Sequence, residues 1–307
     1  MLVFSHDAAK RHVTPQGHPE RVERLAAVER GLAGLEADRR QSPLADRLDI
    51  LRCHTPDYLA RIESAEPLSD IAPLDPDTWM SVGSFEAACR AVGGACAAVD
   101  AVIAGGADGS RAFVVARPPG HHAERASPMG FCLFGTVAIA AKRALDMHGL
   151  RRVAVVDFDV HHGNGTQDLL WNEARVLFVT SQQMPLWPGT GEASECGAHG
   201  QIINVPLPVG SEGAAMRAAY EASVFPALEA WAPELILISA GFDAHADDPL
   251  ANLNWREDDY VWLTRRLCAV ADRYSKGRVV SCLEGGYDLA ALERCVAAHV
   301  ATLMEQG

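Results

Sequence analysis

The sequence predicts an α/β domain in which a mostly parallel sheet is covered by helices. Three observations carry that prediction. Short apolar runs read as buried strands, helical-period segments lie between them, and polar, Gly-rich or Pro-rich stretches follow strand after strand.

The candidate strands are Ala112–Ala116, Val153–Asp157, Val176–Thr180, Leu235–Ser239 and Val279–Leu283. Each is rich in Val, Ile or Leu and apolar on both faces, the pattern of strands covered from above and below. The intervening segments Gly83–Ile103, Gly135–Met147, Glu212–Trp231, Arg256–Tyr274 and Asp288–Thr302 read as helices, preceded by Pro19–Leu35 and Pro56–Ser64. No repeat or long linker divides the chain, so residues 1–307 are expected to form one catalytic domain. Apolar residues make up 49% of the chain and charged residues 22%, enough for a sizeable core.

The formal net charge is −13, which argues against a general nucleic-acid binder or a protein of anionic membrane surfaces. No run of 18 uncharged apolar residues is present, and the start of the chain lacks the apolar region of a secretory signal. Eight cysteines are scattered without a CxxC pair, which favours reduced buried thiols. The expected location is the cytoplasm.

In open α/β sheets ligands bind beyond the carboxyl ends of the strands. Five unusual segments fall there: RPPGHHAE, DFDVHHGNG, SQQMPLWPGTG, AGFDAHADDP and LEGGYD. If the strand from Val153 persists, Asp157, Asp159 and His161 share one face, because side chains alternate with period two. Asp159 and His161 could then hold one metal ion with a third ligand from another loop, for which Asp243 is the candidate. Two oxygens and one nitrogen would leave a fourth position open, as in a catalytic zinc site. The bland alternative is a polar turn without metal. The tandem His121 and His122 suit general acid–base work, with Asp157 and Asn164 as candidate partners for their second nitrogens. Tyr287, after two glycines, could donate to a developing oxyanion, or could simply cap the core.

In this order and spacing, RPPGHHAE, GFCLF, DFDVHHGNGTQ, PGTG, GFDAHADDPL and EGGYDL resemble the zinc-dependent histone deacetylase superfamily, closest to its class II and bacterial branch. HPERVERL at His18–Leu25 is similar to that branch's first loop. The resemblance implies the arginase/deacetylase fold, a three-layer α/β domain with about eight strands. It implies one zinc ion on Asp159, His161 and Asp243, with His121, His122, Asp157 and Asn164 as the two histidines and their partners. Tyr287 would polarise the carbonyl. A potassium ion is implied beside Asp157, Asp159, His161, Thr180 and Ser181. Phe131, next to Gly130, and Trp187 would wall an acyl-lysine channel, with Leu250, Asp77 and His18 toward its rim and Asp75 an alternative to Asp77. Gln182 and Gln183, where relatives carry other residues, are expected to alter the rim.

The implied activity is removal of acetyl or other acyl groups from lysine side chains, so an acetylated lysine peptide or acetylated small amine is the expected partner of a monomer or homo-oligomer. An acetylpolyamine substrate is the main alternative; the apolar Leu250 argues against strict preference for one. An arginase-like binuclear manganese ureohydrolase is weaker, since a second Asp-rich metal strand is missing. A silent scaffold is weaker still, since no expected ligand is lost. Arg21, Arg24 and Arg30, among Glu20, Glu23 and Glu29, are expected to form a solvated, salt-bridged helix face.

Overall fold

A computed structural model describes residues 1–105 and 109–305. Eight strands form one sheet: β1 (Leu2–Ser5), β2 (Asp38–Gln41), β5 (Arg111–Val114), β6 (Val153–Asp157), β7 (Val176–Met184), β8 (Ile202–Pro208), β9 (Leu235–Ala240) and β10 (Val279–Leu283). Their spatial order is β2-β1-β5-β10-β9-β6-β7-β8, and every pairing is parallel. A separate antiparallel pair joins β3 (Ile71–Pro73) to β4 (Trp79–Ser81).

The all-apolar strands follow from burial on both faces. Val153, Val155, Leu235 and Leu237 enter one core with the helices Ser84–Ala104 and Thr136–His148. Their neighbours Ala154, Val156, Ile236 and Ile238 enter the other, with Glu23–Leu32, Glu257–Tyr274 and Leu289–Glu305. Alternation thus sends successive residues to opposite helical layers, which gives three layers in all.

All five expected strands are present. The three additional strands of the sheet carry weak sequence signals for physical reasons. β2 reads DRRQ and is a mostly exposed edge, where charge discourages pairing with another chain. β8 contains Pro206 and Pro208, which an edge strand accommodates because one side of its backbone needs no partner. β1 is only four residues long. The helix expected over Glu212–Trp231 is interrupted by a π turn at Tyr220–Val224. Pro226 has no N–H to give the preceding turn, and the wider turn absorbs the loss.

The helix Ser84–Ala104 is long and apolar enough, by composition, to cross a membrane. Here it packs on β1, β5 and β10 and on the helix Thr136–His148. A Cβ built on its Gly93 would lie 2.1 Å from the Pro43 carbonyl oxygen and 2.7 Å from the Ala45 nitrogen. Close backbone approach requires glycine there. Helix propensity alone would favour alanine by about 1 kcal/mol. The packing predicts the opposite sign: Gly93→Ala should destabilise the fold by roughly 1–3 kcal/mol in urea unfolding.

Candidate active site

Because the sheet is parallel, the loops after β5, β6, β7, β9 and β10 leave the same edge. Strand β6 ends at Asp157, the bound read from the sequence, and does not persist through His161. Side-chain turns replace the ladder: Asp157 Oδ1 accepts the Asp159 N–H at 3.1 Å, and Asp159 Oδ1 accepts the His161 N–H at 2.9 Å. These turns still bring the trio together. His161 Nδ1 lies 3.1 Å from both Asp159 Oδ1 and Asp243 Oδ2. Val160 and Gly285 donate backbone N–H groups to the outer oxygens, Asp243 Oδ1 and Asp159 Oδ2, at 2.9 Å each.

The donor set fits one divalent cation. Asp159, His161 and Asp243 each offer a ligand atom, all within 4.8 Å of one another. Burial pushes the Asp243 carboxyl up to about 7, reinforced by Asp159. His161 is raised to about 10 because the two carboxylates outweigh its burial. Buried carboxylates of this kind call for positive charge. Glycines leave room for it: a Cβ at Gly241 would sit 2.1 Å from Asp159 Oδ2, and one at Gly285 would sit 2.2 Å from Asp243 Oδ2.

A second trio, His245, Glu257 and Cys295, lies apart from the first. His245 Nδ1 accepts the Asp247 N–H at 3.0 Å, which leaves the proton of the neutral ring on Nε2, 3.5 Å from Glu257. His245 and Asp247 therefore do not extend the first cluster into a two-metal site.

The two adjacent histidines differ in partner and charge. His121 Nδ1 lies 2.9 Å from Asp157 Oδ2; burial opposes its charge, but Asp159 and Asp157 raise its pKa well above the ordinary value. His122 Nδ1 lies 2.7 Å from Asn164 Oδ1. Burial and then the neighbouring His121 and His161 lower its pKa, so it stays neutral. Tyr287 is buried, and desolvation followed by Asp243 and Asp159 keeps its phenol protonated.

A cavity of about 220 Å³ reaches this cluster, lined by Asp77, His122, Gly130, Phe131, His161, Leu186, Trp187, Leu250 and Tyr287. The Trp187 ring stands 4.7 Å from His122, and Phe131 stands 5.9 Å from Tyr287. Gly130 is obligatory, since its Cβ would lie 2.4 Å from the His122 ring. His18 packs edge-on against Phe131 and lies 3.1 Å from the Asp77 carbonyl oxygen. Asp77 Oδ1 accepts the Gly130 N–H at 3.2 Å, whereas Asp75 is occupied with the turn that carries Asp77 and Thr78. Thr180 lies beside Asp157 in the ladder, and the Ser181 hydroxyl is 2.9 Å from the Tyr220 hydroxyl. Gln182 and Gln183 are not at the rim. Both are buried: Gln182 donates to the Gly191 carbonyl, and Gln183 Oε1 accepts the Asn252 N–H.

Arg21, Glu23, Glu29 and Arg30 are exposed as expected, with Arg30 paired to Glu293 and Glu29 to Arg39, but Arg24 and Glu20 depart from the solvated face. Arg24 is fully buried and donates to the carbonyls of Gly286 and Glu284 and to Glu20, with its guanidinium 5.1 Å from the Tyr287 ring centre. Arg117 donates to Glu20 at 2.7 Å and to the carbonyls of Ala9 and His12. Asp248 Oδ2 accepts the Tyr287 N–H at 2.7 Å, and Glu284 Oε2 accepts the N–H groups of Gly120 and His121. Sequence reasoning missed these supports. Their one signal was position, inside or beside the motifs that carry the histidines and the tyrosine.

A histone deacetylase domain profile matches residues 18–303. Histone deacetylase 10, chloroplastic, from Oryza sativa subsp. japonica is 38% identical over 304 residues, covering 92% of this chain and 68% of that one. A histone deacetylase-like amidohydrolase from Pseudomonas aeruginosa is 39% identical over 285 residues, covering 90% and 73% respectively. The HD domain of HDA15 has a TM-score of 0.91 at 29% identity, covering 99% of this chain and 91% of its own. The chain thus belongs to the histone deacetylase family, and that membership supports hydrolysis of an amide as a deacetylase.

Glu20 generates a pH prediction. Burial alone would raise its carboxyl, but Arg117, His12 and Arg24 hold it well below its ordinary value of 4.5. Its folded value lies below its unfolded one. Its contribution to stability is therefore complete above pH 4.5 and is lost as pH falls below that value. Glu20→Gln should cost about 3 kcal/mol at pH 7, because it strands buried arginine charge. It should also flatten the decline in stability between pH 4.5 and 3, read by urea titrations at each pH.

Proposed function

We propose that this chain is a zinc-dependent deacylase that removes acetyl groups from lysine side chains. The observation that carries the reading is the lined cavity. It is walled by Phe131 and Trp187, reaches His161 of the Asp159, His161 and Asp243 cluster, and presents a neutral imidazole and a protonated phenol. A narrow apolar channel suits the methylene stem of lysine, and Leu250 at its lining offers no charge to a second ammonium group.

Asp159, His161 and Asp243 would hold the zinc, which when bound supplies Lewis acidity toward the carbonyl and lowers the pKa of water. The protein's own groups manage the protons. His122, neutral and with Nδ1 turned to Asn164, leaves Nε2 for the cavity. It accepts a proton from the attacking water and returns it to the departing amine as the C–N bond breaks. The products are acetate and the protonated amine, which takes up both protons of the water. His121, charged against Asp157, keeps its proton and adds a fixed positive field. Tyr287 donates its O–H to the carbonyl oxygen as that oxygen gains negative charge. Asp157, Asp159, His161, Thr180 and Ser181 are our candidates for a monovalent-cation site that would brace this edge. Eight free thiols suit a reducing compartment such as the cytoplasm.

The discriminating experiment is a substrate panel of acetyl-lysine peptides, longer acyl-lysines and acetylated polyamines, compared by kcat/KM on the zinc-loaded protein. Acetyl-lysine should rank first; a polyamine ranking first would overturn the substrate assignment. Chelation should abolish turnover, and one equivalent of zinc should restore it. Two manganese ions bound per chain would instead favour the ureohydrolase reading. Tyr287→Phe should retain zinc and lower kcat by roughly 10²–10³. Loss of zinc together with unfolding would refute the oxyanion role.

A further inference from the structure

We propose that Glu124 is a positioning residue that fixes the tautomer of His122 through the side-chain amide of Asn164. The inference deepens the deacylase reading and rests on it for its kinetic consequence, but not for its structural one.

Asn164 faces His122 on one side and Glu124 on the other. Its Nδ2 donates to Glu124 Oε1 at 2.9 Å and approaches Met129 Sδ at 3.3 Å. Its Oδ1 lies 2.7 Å from His122 Nδ1. A carboxylate and a thioether have no hydrogen to give. The amide atom turned toward both must therefore be the nitrogen, and the oxygen is left facing the ring. An oxygen facing Nδ1 requires Nδ1 to carry the proton, which leaves a lone pair on Nε2. With the amide reversed, NH₂ would face Nδ1 and favour a proton on Nε2. That tautomer cannot accept a proton in the cavity. Glu124 selects between the two states without touching the ring.

The selector is itself held in place. Glu124 N–H donates to the Ser127 carbonyl at 2.9 Å, closing a tight turn. The next residue, Arg125, donates its N–H to Asp168 at 2.8 Å, and its carbonyl accepts from Thr55. Arg61 reaches the Ala126 carbonyl at 2.8 Å. The turn's own closure and two separate segments, the helix carrying Asp168 and the helix that Thr55 caps and Arg61 lies on, thus fix where the carboxylate stands. The neighbouring histidine shows the contrast. Asp157 meets His121 Nδ1 directly, so orientation and negative charge arrive together. At His122 the carboxylate acts through a neutral amide, which transmits orientation and keeps the negative charge one residue away.

The test joins kinetics to ¹⁵N-histidine NMR on the zinc-loaded protein, with His122 assigned by the signals missing from His122→Gln. Wild type should show a proton on Nδ1 and none on Nε2. Glu124→Ala should give a mixture of tautomers and lower kcat about tenfold with KM within about twofold, the loss expected of one orienting hydrogen bond. Glu124→Gln, whose carbonyl oxygen can still accept, should restore the Nδ1 proton and bring kcat within about threefold of wild type. A wild-type proton on Nε2 overturns the inference. So does a Glu124→Ala enzyme with unchanged tautomer, or one whose tautomer shifts without loss of kcat. If Glu124→Ala fails to fold, the wild-type spectrum and the Glu124→Gln enzyme still decide. A wild type with the Nδ1 proton but no deacylase activity would sink the functional reading and leave the tautomer assignment standing.

Discussion

Four carboxylates, Asp157, Asp159, Asp243 and Glu284, are buried at the ends of adjacent strands, and the organisation of the carboxyl edge answers that constraint. A carboxylate taken out of water needs donors or positive charge. The loops supply the donors. Asp157 takes the N–H of Asp159, Asp159 takes those of His161 and Gly285, Asp243 takes that of Val160, and Glu284 takes those of Gly120 and His121. Each bond satisfies a charge and fixes a loop at once. The irregular segments are consequently as well determined as the strands they follow.

Positive charge comes from two directions. On the cavity side it comes from His121, and the cluster of Asp159, His161 and Asp243 has the donor set that could hold a cation as well. Behind the Gly-Gly turn it comes from Arg24, with Arg117 joined to it through Glu20. Arg24 also ties the carbonyls of Glu284 and Gly286, so the turn that presents Tyr287 is held from the rear while Asp248 holds the Tyr287 N–H. Glycine is required where these supports converge, because any side chain at Gly285 would meet both Asp159 and Asp243.

What the sequence disclosed follows the same physics. Strands covered on both faces leave a dense apolar signal, so the central strands were legible. The edges were not, because β2 is charged and β8 carries prolines. Asp159, His161 and Asp243 stood out because short motifs hold them. The route by which they meet was left open by the sequence, where strand continuation stood only as a condition: side-chain turns swing His161 onto Asp159. Arg24 was read as solvated because a sequence pattern of alternating Arg and Glu cannot tell a surface ladder from a buried network. The partners that distinguish the two lie 260 or more residues away, at Glu284 and Gly286.

The two histidines show why neighbouring identical residues can hold different protons. Their ring centres are 3.9 Å apart, so charge on one opposes charge on the other. A carboxylate behind His121 settles that competition in its favour, and an amide behind His122 concedes it. Were both backed by carboxylates, both would be drawn toward the charged state and the two rings would compete for it. Were both backed by amides, the fixed positive charge beside Asp157 and Asp159 would be lost. One acid and one amide give a charged imidazole and a neutral one from the same dipeptide, and that asymmetry is what the proposed transfer of a single proton from water to an amine would use.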